Sequence, residues 1–134
     1  MDRELLLTIR VKCGEPLVVR GQTRDIVMIP FSGTASGECF SGSVAPGAVD
    51  TQKIPKGGEA FLSARYILHG KDSAGNECQV FIENQGNPAE GLTPAIVTDS
   101  PALADWETSA LTSGLEGIPE GVLVRIFRQN RPEA

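Results

Sequence analysis

The 134-residue chain has 17 acidic and 12 basic side chains, a formal net charge of −5, and 40% hydrophobic residues alongside 15 Gly and 9 Pro. This length and composition predict a single domain, residues 1–134, that is mainly all-β, because frequent Gly and Pro favour turns over long helices. The acidic balance and the lack of clustered Lys or Arg exclude the usual electrostatic basis for nucleic-acid binding, so we expect no nucleic acid as partner.

The amino terminus and the cysteines indicate the compartment. The opening MDRELLLTIRVKC lacks the positive charge and the long apolar run of a signal peptide, and no segment reaches the ~20 apolar residues that cross a membrane. Cys13, Cys39 and Cys78 are odd in number and far apart, which fits reduced thiols. We therefore expect a cytoplasmic protein that does not act at a membrane.

The first third of the chain predicts strands. Apolar and polar side chains alternate over residues 5–12, with the two-residue period of a half-buried strand, and a short apolar piece follows at 17–19. Residues 25–31 predict a second strand, in which Pro30 should lie at an edge or a bulge. The Gly- and Ser-rich stretch 32–47 is either a flexible loop or two short strands with Gly at bulges and corners. We favour the strands, because long structureless loops are unusual inside compact domains.

A hairpin over residues 61–86 carries the strongest pattern. Two sets of apolar side chains alternate with their neighbours: Leu62, Ala64, Tyr66 and Leu68 before the turn, and Cys78, Val80 and Ile82 after it. The sequence KDSAGN at 71–76 is rich in residues that favour turns, so the two segments should pair as antiparallel strands.

One short helix is expected to begin near Ser100, where a hydroxyl that could cap it precedes Pro101. Four apolar side chains would share its buried face: Leu103, Trp106, Ala110 and Leu111. Gly114 would end the helix. On this face Trp106 is either an anchor that packs the helix onto the sheet, which we favour, or a residue that stacks on a ligand.

The last strand, residues 121–127, is largely apolar on both faces, which indicates a central position or an outer face that a partner covers. Because Leu123 and Phe127 would otherwise expose apolar surface, we expect a homo-oligomer. Residues 131–134 should form a frayed tail.

No residues have the spacing of a known catalytic or metal site. The single histidine, His69, lies near the hairpin turn, and a solvated surface position is favoured over a role as general base. The three cysteines lack zinc-ligand spacing, and the glycines lack the pattern of a nucleotide-binding loop. We therefore predict no metal and no cofactor.

Arg65 is the most informative polar residue, because it interrupts an apolar strand. If it faces the interior, it must pair with a carboxylate such as Asp50 or Glu83 to offset its desolvation. If it shares the solvent face with Ser63 and His69, it is an ordinary surface charge. Both alternatives stay open, since the interior of a barrel can be the mixed face that holds a ligand.

Three motifs follow one another in a characteristic order: GSVAPGAVD at 42–50, ARY at 64–66 and CQVFIENQG at 78–86. In this order they resemble the family called domain of unknown function 3237, whose members have a G-x-V-x-P-G-G-x-D-W stretch, an A-R-Y strand, a D-G turn and an I-x-V-x-N-x-G strand. The resemblance, over about residues 21–127, implies a closed antiparallel β-barrel, lipocalin-like or allene-oxide-cyclase-like, with one short helix. It also implies pocket positions for Asp50, Arg65 and Tyr66, although Thr51 stands where the family has Trp.

Three functions are compatible with these residues, and they do not decide whether the protein is an enzyme. The first is binding of a small apolar or carboxylate-bearing molecule in the barrel lumen, with Asp50, Arg65, Tyr66, Glu83 and Trp106 as candidate binding residues. The second is a cofactor-free isomerase, cyclase or lyase acting on a small organic acid, in which Arg65 holds an oxyanion and Glu83 or Tyr66 moves a proton. The third is a structural module that forms oligomers.

Overall fold

The computed structural model describes residues 2–129, most of them in antiparallel strands, so the mainly all-β prediction is confirmed. The predicted frayed tail at 131–134 lies outside these residues. The strands are β1 (Arg3–Cys13), β2 (Leu17–Arg20), β3 (Arg24–Ser36), β4 (Phe40–Val44), β5 (Val49–Pro55), β6 (Phe61–Asp72), β7 (Glu77–Asn87), β8 (Gly91–Thr98), β9 (Leu111–Ile118) and β10 (Gly121–Gln129), with a 3-10 helix at Pro101–Glu107. No helix within this range is long and apolar enough to cross a membrane.

All ten strands join one sheet. Its neighbours run in the order β8, β7, β6, β4, β3, β1, β10, β9, while β2 pairs with β3, and β5 pairs with both β3 and β6. The two ends of this order, β8 and β9, lie side by side. Within residues 2–129 no ladder of backbone hydrogen bonds joins them, so a seam stands where a closed barrel would have a continuous ladder.

The central hairpin is confirmed together with its alternation. β6 and β7 pair in continuous register over residues 62–71 and 77–86, so the two predicted apolar sets share one face. Tyr66, Leu68 and Ile82 are buried on that face, which faces the core. At the turn Asp72 accepts backbone N–H bonds from Ala74 and Asn76, which fixes the tight return of the chain.

Asp72 also links the hairpin to the start of the helix. The Ser100 hydroxyl donates a 2.7 Å hydrogen bond to the Asp72 carboxylate, and both residues are buried. This bond, aided by the backbone donors of the turn, holds the pKa of Asp72 below its ordinary value. Ser100 therefore ties two elements together instead of capping the helix with its side chain.

The Gly- and Ser-rich stretch forms strands, as favoured. β3 continues to Ser36, and β4 follows after a short turn. Gly42 of β4 pairs with Gly70 of β6, and a Cβ added to either glycine would lie only 2.6–2.7 Å from the Cα of the other. Side chains at these positions would push the two strands apart, so the glycines permit their close approach.

Pro30 lies where β3 changes neighbours, which agrees with the predicted edge or bulge position. Met28 is the last residue of β3 that pairs with β2, and Phe31 is the first that pairs with β1. Between them the Pro30 carbonyl accepts a 2.7 Å hydrogen bond from the backbone N–H of Gly14. A residue without an N–H is tolerated at this break in the ladder.

The helix prediction is correct at its start and wrong at its end. The helix begins at Pro101, but it is a 3-10 helix that ends at Glu107, and Leu111–Ile118 form β9. Leu103 and Trp106 are both buried, as three-residue spacing in a helix with three residues per turn requires. The following residues pair with β10 along the whole of β9, so tertiary pairing outweighs the weak helical pattern.

β10 is central, as predicted, because it pairs with both β1 and β9. Its outer side chains are less exposed than the sequence suggested. Leu123 and Phe127 are half-buried, and the Arg3 guanidinium lies 3.7 Å from the centroid of the Phe127 ring. This surface therefore gives little reason for an oligomer. Leu17 and Val19 of β2, at 64% and 63% exposure, are the most exposed large apolar side chains among the described residues.

The interior enclosed by the sheet is filled differently at its two ends along the strand direction. At one end lie the hairpin turn and the 3-10 helix, and this end is filled by large buried side chains that include Trp106, Phe40 and Leu7. At the other end β1 and β7 finish and β6, β8 and β10 begin. This second end is less densely filled, and it contains the cavity described next.

Candidate functional site

A partly open cavity of about 100 Å³ lies at the end away from the helix. Apolar side chains from the strands around the cavity form most of the cavity wall, among them Val11, Leu62 and Val124. Two polar side chains interrupt the wall, Asp50 and Asn84, on the two strands that flank β6. An apolar hollow with a few convergent polar groups is the usual form of a small-molecule site.

The register of the sheet explains why Asp50 and Asn84 meet here. Both residues pair with Ala64 of β6, one from β5 and one from β7, so the three form a row across the sheet. Side chains directly opposite each other in a sheet share a face, so all three point towards the interior. The methyl group of Ala64 leaves open the space between the two polar side chains.

Asp50 contributes a half-buried carboxylate to the cavity. Its Oδ2 accepts a 3.1 Å hydrogen bond from Nε2 of Gln52, two residues further along the same face of β5. The carboxylate keeps acceptor capacity beyond this single bond. A ligand with an O–H or N–H group in the cavity could therefore donate to it.

Tyr66 lies on the same wall, two residues after Ala64. It is 5% exposed, and its ring contacts the Phe31 ring edge to face with centroids 5.3 Å apart. Burial raises the pKa of the Tyr66 phenol well above its ordinary value, so the hydroxyl keeps its proton across the physiological range. Buried polar groups are normally hydrogen-bonded, and this hydroxyl is a donor available to a ligand or a water molecule.

Asn84 joins the cavity to the seam between β8 and β9. Its side-chain amide donates to the Ser113 hydroxyl at 3.2 Å, and that hydroxyl donates to the Leu92 carbonyl, also at 3.2 Å. Side chains thus bridge the two strands that lack a ladder. Asn84 is not among the site residues predicted from the sequence. The two-residue alternation that points Val80 and Ile82 inward also predicts that Asn84, two residues further on, points inward.

The structure places Arg65 and Glu83 outside the cavity. They are directly opposite each other on β6 and β7, where Arg65 is exposed and Glu83 is half-buried. Arg65 also pairs with Val49, the neighbour of Asp50, so Arg65 and Asp50 point to opposite faces of the sheet. Arg65 therefore does not face the interior, and Asp50 is not its buried partner.

Replacing Arg65 by alanine is accordingly expected to lower the free energy of unfolding by less than about 1 kcal/mol, because an exposed charge gains little from its neighbours. The loss should be the same at pH 7 and pH 5. Urea denaturation at both pH values measures it. A loss of roughly 3–5 kcal/mol that shrinks at the lower pH would instead indicate a buried ion pair.

Trp106 lies in the 3-10 helix at the filled end, 2% exposed, and does not line the cavity. Of the five candidate binding residues, only Asp50 and Tyr66 line this cavity. Within residues 2–129 no three His, Cys, Asp or Glu side chains come close enough to hold a metal ion.

Comparison with known proteins places this arrangement in context. The model of a family described as protein of unknown function, DUF3237, matches residues 2–91. A UPF0311 protein of Clostridium acetobutylicum is 37% identical over 91 residues, which cover 64% of this chain and 54% of that protein. The chain therefore spans about half the length of the curated relative it matches.

Solved structures share the fold over almost the whole chain. A protein with unknown function from Clostridium acetobutylicum has a TM-score of 0.81 at 25% identity, covering 96% of each chain. A beta-barrel like protein from Acinetobacter baumannii has a TM-score of 0.75 at 17% identity, covering 95% of this chain and 94% of the other. The fold is therefore barrel-like in its relatives, and neither likeness carries a reaction or a ligand.

Proposed function

The chain belongs to the DUF3237 family of proteins of unknown function, and from that premise we propose that it binds a small, mainly apolar molecule that donates a hydrogen bond to Asp50. One observation carries the proposal: an apolar cavity in which Asp50, Tyr66 and Asn84 are grouped on neighbouring strands. The sheet serves as the wall of a barrel lumen, with the 3-10 helix closing the opposite end.

The polar groups favour a neutral ligand with a donor over a carboxylate. Asp50 offers an acceptor with negative charge, and a carboxylate in the same small space would be repelled by it. Arg65, which the sequence analysis offered as the partner of a ligand carboxylate, lies on the outer face. A phenol, an alcohol or an amine could donate to Asp50 while the Tyr66 hydroxyl donates to another ligand atom.

The size of the cavity limits what fits. An apolar cavity of about 150 Å³ can hold benzene, so the roughly 100 Å³ found here would enclose a short chain, or part of one small ring whose remainder lies in the open mouth. A second, more open hollow of about 260 Å³ shares Leu62, Leu92 and Leu115 with the first. A larger ligand would place its ring in the cavity and extend over these residues at the mouth.

Titration of the isotopically labelled protein with phenol, benzoate and toluene, followed by NMR, tests the proposal. Phenol should shift the amide signals of Ala64 and Asn84 with a Kd on the order of 1 mM, as expected for so few atoms. Benzoate should bind at least about tenfold more weakly because of its charge, and toluene more weakly because it donates no hydrogen bond. If benzoate binds best, the ligand class is wrong; if none of the three shifts these signals, the cavity is not the binding site.

A second candidate function, proton transfer in a cofactor-free isomerase, cyclase or lyase, is supported by the placement of Asp50 and Tyr66 on one cavity. The roles first considered for Arg65 and Glu83 do not fit, because both lie on the outer face. Asp50 would then take a proton from one atom of the bound molecule and return it to another, while the Tyr66 phenol, whose raised pKa keeps it protonated, would donate a hydrogen bond to the oxyanion formed in between. Detection of a product formed from a bound ligand would support this candidate, whereas binding without any product would support the first.

We also propose the cytoplasm as the compartment. Cys13, Cys39 and Cys78 are all free thiols in the structure, and Cys13 is exposed, which fits a reducing environment.

A further inference from the structure

We infer that Cys13 is a covalent attachment site, where an α,β-unsaturated ketone or aldehyde held in the cavity adds to the thiol. Cys13 lies in the wall of the cavity that we propose as the binding site, so this role rests on the proposed function and names the reactive group of one class of ligand. Attachment uses Tyr66 but needs no hydrogen bond to Asp50. The two proposals can therefore fail separately.

The fold holds the Cys13 side chain at the mouth of the cavity. Cys13 ends β1, two residues after the buried Val11, so its side chain points to the same inner face and lines the cavity. Its backbone N–H donates to the Glu120 carbonyl at 3.0 Å, and the N–H of Gly14 donates to the Pro30 carbonyl at 2.7 Å. Backbone bonds on both sides therefore fix where the thiol lies.

The Cys13 thiol is free to react. All three cysteines are free thiols, but Cys13 is exposed, whereas Cys39 is partly buried and Cys78 is buried. Neither Cys39 nor Cys78 lines the cavity. An accessible thiol is a strong nucleophile through its thiolate form, while a buried one is inert. Cys13 is thus the cysteine that can attack a molecule in the cavity.

A second observation points to a ligand with an acceptor atom. Tyr66 is 5% exposed and lines the same cavity, and within the part of the chain that the structure describes its hydroxyl has no hydrogen-bond partner. Buried hydroxyls are normally hydrogen-bonded, so this donor is suited to an oxygen atom of a bound molecule.

Phe31 lies between the thiol and the hydroxyl. It is directly opposite Cys13 in the sheet, so the two side chains share a face, and its ring contacts the Tyr66 ring with centroids 5.3 Å apart. All three residues line one cavity of only about 100 Å³. A small molecule in this space can therefore contact the thiol with one end and the hydroxyl with the other.

These two groups match the two reactive ends of a conjugated carbonyl. The Cys13 thiolate attacks the β-carbon and forms a C–S bond, while the C=C π bond breaks and its electron pair moves to the carbonyl oxygen. The Tyr66 hydroxyl donates a hydrogen bond to this enolate oxygen. The α-carbon then takes a proton from water, which replaces the proton that the thiol released. The thiol S–H is thereby added across the double bond, with no leaving group and no oxidation or reduction.

Reaction of the full chain with pent-3-en-2-one, followed by intact mass and peptide mapping, tests this role. One probe molecule should be added, at Cys13 and at neither Cys39 nor Cys78. Iodoacetamide is the matched reagent, because it alkylates thiols without forming an enolate. The ratio of the enone rate to the iodoacetamide rate at Cys13 should exceed that of free N-acetylcysteine at least about tenfold, because a positioned donor stabilises the developing oxyanion. The ratio cancels differences in thiolate fraction between the two thiols.

Tyr66→Phe removes the hydroxyl and keeps the ring that packs on Phe31. It should slow the enone reaction at least about tenfold and change the iodoacetamide rate by less than about twofold, because only the first reaction develops charge on an oxygen. Circular dichroism should match the wild type, since no protein group loses a partner. Cys39→Ala is the matched control, because this cysteine lies outside the cavity; it should leave both rates unchanged.

A rate ratio at Cys13 equal to that of N-acetylcysteine would show an ordinary exposed thiol and overturn the attachment site. The same holds if Tyr66→Phe slows neither reaction, or slows both equally by restricting access to the thiol. The phenol titration separates this role from the proposed function. Phenol binding without an enhanced enone reaction would reject the attachment site alone, whereas an enhanced reaction without phenol binding would keep the site and reject the ligand class proposed for Asp50.

Discussion

Replacing Trp106 by alanine is expected to lower the free energy of unfolding by about 3–5 kcal/mol, one of the largest losses that a single substitution could cause in this chain. Trp106 is 2% exposed, and together with Leu103 it anchors the 3-10 helix on the filled end of the sheet. Truncation removes a large buried surface and leaves a void that the strands cannot fully close. Since domains of this kind are stable by only ~5–15 kcal/mol, urea denaturation should show a clearly lower midpoint.

Two comparisons make this result specific to packing. Phe61→Ala removes an aromatic ring that is 42% exposed, and it should cost less than about 1 kcal/mol. Under conditions where Trp106→Ala is folded, its Kd for phenol should stay within about twofold of the wild type, because Trp106 does not line the cavity. Unchanged stability with loss of phenol binding would show that Trp106 stacks on the ligand instead.

Replacing Asp50 by asparagine is expected to change which ligand the cavity prefers. The substitution removes the negative charge and keeps a carbonyl acceptor of nearly the same shape. Benzoate should then bind at least about tenfold more tightly than it binds the wild type, equivalent to 1.4 kcal/mol, because the repulsion between two carboxylates is gone. Phenol should bind a few-fold more weakly, because a hydrogen bond to a charged acceptor is the stronger one.

Glu83→Gln is the matched control for Asp50→Asn. It removes the same negative charge from β7, the strand next to Ala64, but the Glu83 side chain lies on the outer face of the sheet. Its effect on the Kd of either probe should be less than about twofold, which measures the contribution of net charge alone. Equal effects of the two variants on benzoate binding would mean that Asp50 does not contact the ligand. The same NMR titration supplies both Kd values.

The central hairpin could be predicted from sequence because a strict two-residue period leaves little choice of face. Within 62–68 and 78–82 an apolar side chain recurs at every second position, and the turn between the two segments contains residues with defined turn chemistry. Pro30 was placed correctly for a similar reason, because the missing N–H restricts its position in a sheet. These features depend on local chemistry alone.

β9 and the orientation of Arg65 depend on distant contacts. The segment Leu111–Ile118 has two glycines and little alternation, so its strand character comes from pairing with β10. On β6 the face opposite the core also carries apolar side chains, with Phe61 at 42% and Ile67 at 40% exposure. Parity on that strand therefore could not assign Arg65 to one face, and the register with Val49 and Glu83 was needed.

The seam between β8 and β9 has a consequence for how the cavity exchanges its contents. A backbone ladder separates only when several hydrogen bonds break together, whereas the Ser113 hydroxyl can leave Asn84 and the Leu92 carbonyl by rotation about one side-chain bond. Rotamer changes take picoseconds to nanoseconds at exposed positions, while opening of whole elements takes microseconds or longer. The seam can thus open without breaking a backbone ladder, and the lifetime of a molecule in the proposed site would then be decoupled from the stability of the whole fold.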